Sequence, residues 1–289
     1  MKMRSYQKII FMAIMIYVIS VGAFWGIGKP ESLPLFSLAS GEKTTLARII
    51  PILRENKIVF VGETHDRESH HRAQLLVIKG LRASGLKMAV GLEMFRKESQ
   101  DVLDFWVSEK IDEKDFKKTY YDNWNYPWSL YGAIFQYARS MKIPLVGLNV
   151  PRSITHKVAR KGFQSLSETE KGKLPKVVCE VDRDYMEFIK RAYGSHGHGR
   201  LNFNYFCEAQ LVWDKAMAIH ALEYLQNNPD FSMVLLTGSG HSWKKGIPEQ
   251  IRLRSSVPYT VILPDAHGHE TAGTITFEEA DYIMLDLDK

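Results

Sequence analysis

Cysteine is the scarcest informative residue in this 289-residue chain, which holds only Cys179 and Cys207. Two are too few for a disulfide framework, and no Cys-x-x-Cys spacing joins them. A single bridge between them stays open if the chain is exported. Excess charge is also scarce. The net charge is +5, of which Lys2, Arg4 and Lys8 supply three units before the first acid, Glu31, so the rest of the chain carries only +2. That balance gives no basic surface and speaks against a nucleic-acid partner. There is no internal repeat and no low-complexity tract. What is present is a globular composition, 45% apolar and 25% charged, in a chain long enough for one large domain or a domain with an insertion.

The N-terminus reads as a targeting segment. Lys2, Arg4 and Lys8 precede a nearly uninterrupted apolar run from Ile9 to Ile27, a basic region followed by a hydrophobic one. The run is longer than the usual 7–15 apolar residues of a cleaved signal and approaches the roughly 20 that span a bilayer. Ala23-Phe24-Trp25-Gly26 is a poor cleavage site, and no cysteine follows for lipidation. Residues 1–28 are therefore a signal peptide or an uncleaved membrane anchor, with the anchor favoured. The positive-inside rule then places the body in the periplasm, anchored to the inner membrane, or outside the cell. Residues 29–44, with Pro30, Pro34, Ser37, Ser40 and Gly41, read as a linker, and the domain is expected from 45 to 289.

Within that domain, four short apolar runs each end in glycine and polar groups: Lys57–Val61 into GETH, Met88–Val90 into GLEMF, Ile143–Val146 into GLNVP, and Met233–Leu236 into TGSGH. Continuous apolar runs of this length suit strands buried on both faces. Helical patterns lie between them over His71–Ser84, Gln100–Ser108, Leu130–Ser140 and Asn204–Gln226. The alternation predicts an α/β fold, with a mostly parallel central sheet flanked by helices. Two late runs, Tyr259–Leu263 and Tyr282–Leu287, are expected at a sheet edge. Residues 151–228 are too long for one crossover and read as an inserted helical cap.

In open parallel sheets, ligands sit beyond the carboxyl ends of the strands. The residues supplied there are Glu63, His65, Asp66, Glu93, Asn149, Arg152 and His241. Two Gly-x-x-His strand ends plus an acid after a third strand suggest a functional centre. Imidazole and carboxylate donors make Glu63, His65, Glu93 and His241 candidate ligands of a divalent metal ion such as zinc or manganese. They are also candidate catalytic groups if the protein is a metal-dependent hydrolase of esterase or peptidase type. On the 204–226 helix, Gln210, Asp214 and Met217 share one face that can look down on the strand ends. Between two helices of the insertion lies Tyr193-Gly194-Ser195-His196-Gly197-His198-Gly199, whose alternate histidines can ligate a metal or haem iron. An aromatic tract, Tyr120, Tyr121, Trp124, Tyr126, Trp128, Tyr131, Phe135 and Tyr137, suits either core packing or the wall of a flat apolar ligand. Tandem His70-His71 reads as a solvated helix start, and His267 and His269 as part of a surface loop.

Taken in order, VGETHD, GLEMF, YxxNW, GLNVPR, a loop with HGH, AQxxWDxxMA and TGSGH resemble the ChaN-like haem-binding uptake proteins, over about Ile49 to Pro264. The resemblance implies an α/β fold with a helical cap, a cell-envelope location, haem binding linked to iron acquisition, and in some members a dimer sandwiching haem. His196, His198, Tyr193 and Tyr126 are then the candidates for holding the haem. The Gly-x-x-His motifs are also similar to those of the wider Tiki/TraB and erythromycin-esterase-like clan, which implies the alternative of metal-dependent hydrolysis at Glu63, His65, Glu93 and His241. The missing lipidation cysteine departs from the lipoprotein members and favours a membrane partner for residues 9–27.

Overall fold

The computed structural model describes residues 32–265 and 275–287, apart from 173, 182, 184, 188 and 191–201. The targeting segment, the Tyr193–Gly199 loop with His196 and His198, and the His267/His269 loop lie outside the described residues.

An eight-stranded sheet runs through the folded body in the order β2-β1-β8-β7-β3-β6-β4-β5. Its parallel part is built from β3 (Ile58–Glu63), β4 (Met88–Arg96), β5 (Leu145–Asn149), β6 (Ser232–Gly238), β7 (Tyr259–Pro264) and β8 (Tyr282–Met284). The antiparallel hairpin β1 (Pro34–Ser37) and β2 (Glu42–Thr45) closes one side. The α/β expectation with a mostly parallel sheet holds. Every residue of β3 is buried, because side chains on alternate positions enter two different cores. Ile58 and Phe60 join one apolar cluster, while Val59 and Val61 join the other. A strand with two covered faces has no solvent side to mark with polar residues, and hence reads as an unbroken apolar run.

Two expectations are corrected here. Residues 34–45 are not linker: they pair into the sheet, Leu35 opposite both Thr44 and Met284, so the folded unit starts at Ser32. The same hairpin displaces β7 and β8 from the edge, since β8 is flanked by β1 and β7, and β7 by β3. Backbone pairing with a strand that looked like turn-rich linker decided this.

One face carries α1 (Leu46–Arg54), α2 (Glu68–Ala83), α3 (Gln100–Val107), α4 (Glu113–Asn123) and α5 (Trp128–Ser140), whose buried residues join the second cluster. On the other lie α6 (Arg152–Lys161), the short α7 (Glu168–Lys171), α8 (Phe203–Asn227), and, after β6, the four-residue α9 (Ser239–Ser242) and α10 (Ile247–Arg252). Ser167 caps α7 reciprocally: its hydroxyl accepts from the Glu170 N–H while the Glu170 carboxylate accepts from the Ser167 N–H. Such reciprocal caps satisfy two otherwise orphaned donors. Most of the aromatic tract is core. Tyr120, Tyr131 and Phe135 are fully buried; Tyr120 and Phe135 pack on Phe95 and Trp128, Phe135 also on Phe116, and Tyr131 on Tyr120 and Trp124. The long helix α8 packs directly on the sheet, and its Ala216, Ala218 and Ala221 are buried there. Small side chains let the helix lie close to the strands, and this brings a polar residue, Asp214, within reach of their ends.

Candidate ligand-binding site

The site is assembled by strand order. β6 arrives late in the chain and inserts between β3 and β4, with Gly62 opposite Thr237 and Glu63 opposite Gly238. The two Gly-x-x-His turns therefore leave the sheet side by side. Glycine at 238 is required by that proximity: a Cβ there would stand 2.9 Å from His65 Cε1 and 3.7 Å from Glu93 Oε2.

Each histidine is held from behind by a buried carboxylate. His65 Nδ1 bonds Glu63 Oε1, and the Tyr131 hydroxyl donates to the same oxygen at 3.3 Å. His71 Nε2 stands 3.4 Å from the other Glu63 oxygen. On the β6 side, His241 Nδ1 meets Asp214 Oδ1 at 2.6 Å, and Tyr185 donates to Asp214 Oδ2 at 3.0 Å. Glu93 lies between the pairs: its Oε2 accepts the Gly238 N–H at 2.6 Å, and its Oε1 is 3.8 Å from His241 Nε2. Asn149 donates to the Glu93 carbonyl at 2.8 Å and so fixes the end of β4.

Burial and charge compete at each of these groups. Burial alone would push the Glu63 carboxyl up, but the imidazoles of His65 and His71 outweigh it and hold it at about 2. For His241, burial works against the proton, whereas the charges of Asp214 and Glu93 raise the group to about 9. His65 is raised in the same way by Glu63 and Glu93 against its burial. Burial raises Asp214, opposed by its bonds to His241 and Tyr185. Near neutral pH the His241 imidazole is thus protonated and locked to Asp214, and His65 is biased toward its protonated form beside Glu63.

This gives a pH prediction with a definite sign. A histidine whose folded pKa exceeds its ordinary 6.5 adds stability that is complete below 6.5 and is lost as pH rises through about 9. Glu63, at about 2 against an ordinary 4.5, adds stability present above 4.5 and lost as pH falls through about 2. The melting temperature should accordingly peak between about pH 4.5 and 6.5 and decline toward pH 9.5. A flat profile from pH 6.5 to 9.5 would contradict the buried imidazolium at His241.

Above these pairs opens a cavity of about 710 Å3, within the range of small-molecule sites. Trp124 and Tyr126 lean on His65, with ring centroids 4.8 and 5.0 Å away, and Trp213 leans on His241 at 5.8 Å. Arg96, Asp122, Asn149, Arg152 and Gln210 are among the polar residues that line it.

The structure thus brings together Glu63, His65, Glu93, Asp214 and His241, and places Tyr126, Asn149, Arg152 and Gln210 on the cavity wall. Asp66 is not brought in; it is exposed, 3.9 Å from Arg67. His70 and His71 are buried rather than solvated, His70 accepting from the Thr64 N–H at 2.9 Å. Sequence reading passed over Arg96, Tyr185 and Trp213 as site residues, and took His71 for part of a solvated helix start. For Arg96 and Trp213 a signal existed, since each adjoins a singled-out residue run, GLEMF and WD.

The divalent metal expected at Glu63, His65, Glu93 and His241 is not supported. Among the described residues no group of three or more His, Cys, Asp or Glu side chains is placed to hold a metal ion. The reason is chemical: Glu63 is engaged by histidines, Glu93 by a backbone N–H, and one nitrogen of each site histidine by its own carboxylate. These partners hold the side chains to one another instead of leaving a shared set of donors.

The fold resembles ChaN of Campylobacter jejuni, in a structure describing cofacial haem binding, with a TM-score of 0.69 at 20% identity over 88% of this chain and 96% of that one. A mutant erythromycin esterase, EreC, in its open conformation matches with a TM-score of 0.47 at 16% identity, over 75% of this chain and 72% of the other. No curated protein matches the sequence. Residues 49–251 match the family model described as haem-binding uptake, Tiki superfamily, ChaN, and these residues hold every group of the two histidine pairs, so the chain belongs to that family of haem-binding uptake proteins.

Proposed function

We propose that this protein captures haem at the cell envelope for uptake, in the cavity above the two histidine–carboxylate pairs. The observation that carries the reading is the aromatic-walled cavity at the strand ends in a chain of the haem-binding uptake family. A flat macrocycle suits it: Trp124, Tyr126 and Trp213 offer ring faces, and the volume is of the order a porphyrin needs. Haem, when bound, would supply an iron that a histidine nitrogen or a tyrosine phenolate oxygen would hold. Tyr126 is the described residue for that role, with Tyr193, His196 and His198 as the others. Two copies would close over the ligand as a homodimer, a reading supported by the cofacial haem binding described for the Campylobacter jejuni protein.

Location belongs to the same proposal. Cys179 and Cys207 form a disulfide, and disulfides persist in oxidising compartments. Together with the basic and apolar segment at residues 2–27, this supports a body exported to the periplasmic side and tethered by residues 9–27. None of the described helices is long and apolar enough to cross a membrane, so the tether is assigned to that segment alone.

Titrating the full-length chain with haemin should give a saturable Soret shift with an end point near one haem per chain, and size exclusion should report a doubled mass if the dimer forms. A change no greater than that of an unrelated control protein would remove the haem reading.

A further inference from the structure

Tyr185 lies outside the cavity wall, yet it supports the cavity floor from two sides. Its hydroxyl donates to Asp214 Oδ2 at 3.0 Å, while Asp214 Oδ1 holds His241 Nδ1. Its ring stacks on Trp243, two residues beyond His241, with centroids 5.9 Å apart. Burial and the Asp214 charge push the Tyr185 hydroxyl up, so it stays protonated and donates.

What keeps Tyr185 there is covalent. Cys179, six positions before it, is bridged to Cys207. Cys207 and Asp214 stand at i and i+7 on α8, two turns apart on one face. A ring therefore runs from Tyr185 back to Cys179, across the bridge to Cys207, along α8 to Asp214, and home through the hydrogen bond. Without the bridge, the chain joins Tyr185 to Asp214 only across their separation of 29 residues. Holding two groups together over a longer loop costs more entropy.

Asp214 is where that loss would register. It is buried, with its two oxygens divided between His241 and Tyr185. Losing the Tyr185 hydroxyl strands Oδ2 without a donor, which is unfavourable in a buried setting, and frees the carboxylate to turn from His241. The other groups facing His241 do not replace it. Glu93 Oε1 is 3.8 Å away and its second oxygen serves the Gly238 N–H, Trp213 offers only a ring, and His65 is a like charge.

We infer that closing the Cys179–Cys207 bridge completes the ligand site: the bridge holds Tyr185 on Asp214, and Tyr185 is the positioning residue that sets His241 in the cavity floor. This rests on the haem reading above and adds to it the condition under which the site is competent. Closure is a thiol–disulfide exchange with a disulfide-bearing oxidant. One cysteine thiolate attacks the oxidant's disulfide, the second displaces the oxidant's sulfur from that mixed disulfide, and two electrons and two protons pass to the oxidant, which leaves as thiols. A chain still reduced, as before export, has a loose floor and holds haem weakly; oxidation after export sets it.

The test titrates haemin into four full-length proteins: wild type, Tyr185→Phe, the pair Cys179→Ser with Cys207→Ser, and all three changes together, each at a temperature where circular dichroism shows it folded. Tyr185→Phe keeps the bridge and the ring on Trp243 and removes only the hydroxyl. Both it and the serine pair should bind haemin at least about fivefold more weakly than wild type, the low end of couplings between sites. The triple variant should be no weaker than the serine pair, because both changes act through one contact. The His241 imidazole resonances should also move in the folded serine pair, whereas a bridge that merely stabilises the fold would leave them in place. Losses that add, or Tyr185→Phe binding haemin as wild type does, would overturn the assignment and leave haem binding intact. Should the serine pair not fold, the affinity of Tyr185→Phe decides by itself. Absence of saturable haemin binding by oxidised wild type would overturn the haem reading, and this assignment with it.

Discussion

Replacing Asp214 with alanine is expected to cost on the order of 3–5 kcal/mol of folding stability, the range for removing one partner of a buried ion pair. Asp214 is 1% exposed and sits in mid-helix, where it accepts from His241 on one oxygen and from Tyr185 on the other. Alanine takes away both acceptors at once. The His241 imidazolium would then have only Glu93, at 3.8 Å, and burial would drive its pKa down from about 9. The proton leaves, and with it the electrostatic tie between α8 and the end of β6. Asp214→Asn keeps the shape and one acceptor, and should lose less. Chemical denaturation gives the stability, and the imidazole proton shifts of His241 followed across pH give the ionisation. An alanine variant as stable as wild type, with His241 still titrating near 9, would mean that the pair is not coupled as the geometry states.

Breaking the disulfide has the second largest expected effect. Cys179 and Cys207 are separated by 28 residues in sequence, and the chain-entropy account of a loop of that size gives about 3.5 kcal/mol. Cys207 is fully buried near the start of α8, in the same apolar cluster that Cys179 packs against. The bridge therefore ties the segment before Tyr185 to the helix that carries Asp214. The double variant Cys179→Ser, Cys207→Ser, or reduction of the wild type, should lower the melting temperature by roughly 5–10 °C for a body of this size. The same residues report on location. Protein from acid-quenched cells should react with maleimide only after reductant is added. Ready labelling without it would sink both the oxidised pair and the exported location it supports.

The strand ends illustrate how much of this was legible in the chain itself. Four apolar runs ending in glycine were readable as buried strands because two covered faces leave no polar alternation to confuse them. Their carboxyl ends were readable as the site because parallel sheets gather loops there. Other features were hidden for equally physical reasons. The hairpin at residues 34–45 has turn-like composition, and only pairing with β8 makes it sheet. His70 and His71 look like a polar helix start, yet α2 turns them inward onto the Thr64 N–H and Glu63. Tyr185 had no sequence pattern to mark it, since its role depends on reaching Asp214, 29 residues away.

By itself, then, the sequence determined the α/β class, the family, and the identity of the polar groups at the strand ends, all of which depend on local composition and on ordered motifs. What tertiary structure alone decided is which groups face which. Inserting β6 between β3 and β4 sets Glu63 opposite Gly238, and α8 lowers Asp214 onto His241. Those contacts close two histidine–carboxylate pairs, Glu63–His65 and Asp214–His241, and hold Glu93 on the Gly238 N–H, so that no shared set of metal donors remains among the described residues. Strand order and helix placement follow from the balance of burial over the whole chain, and no local pattern encodes that balance.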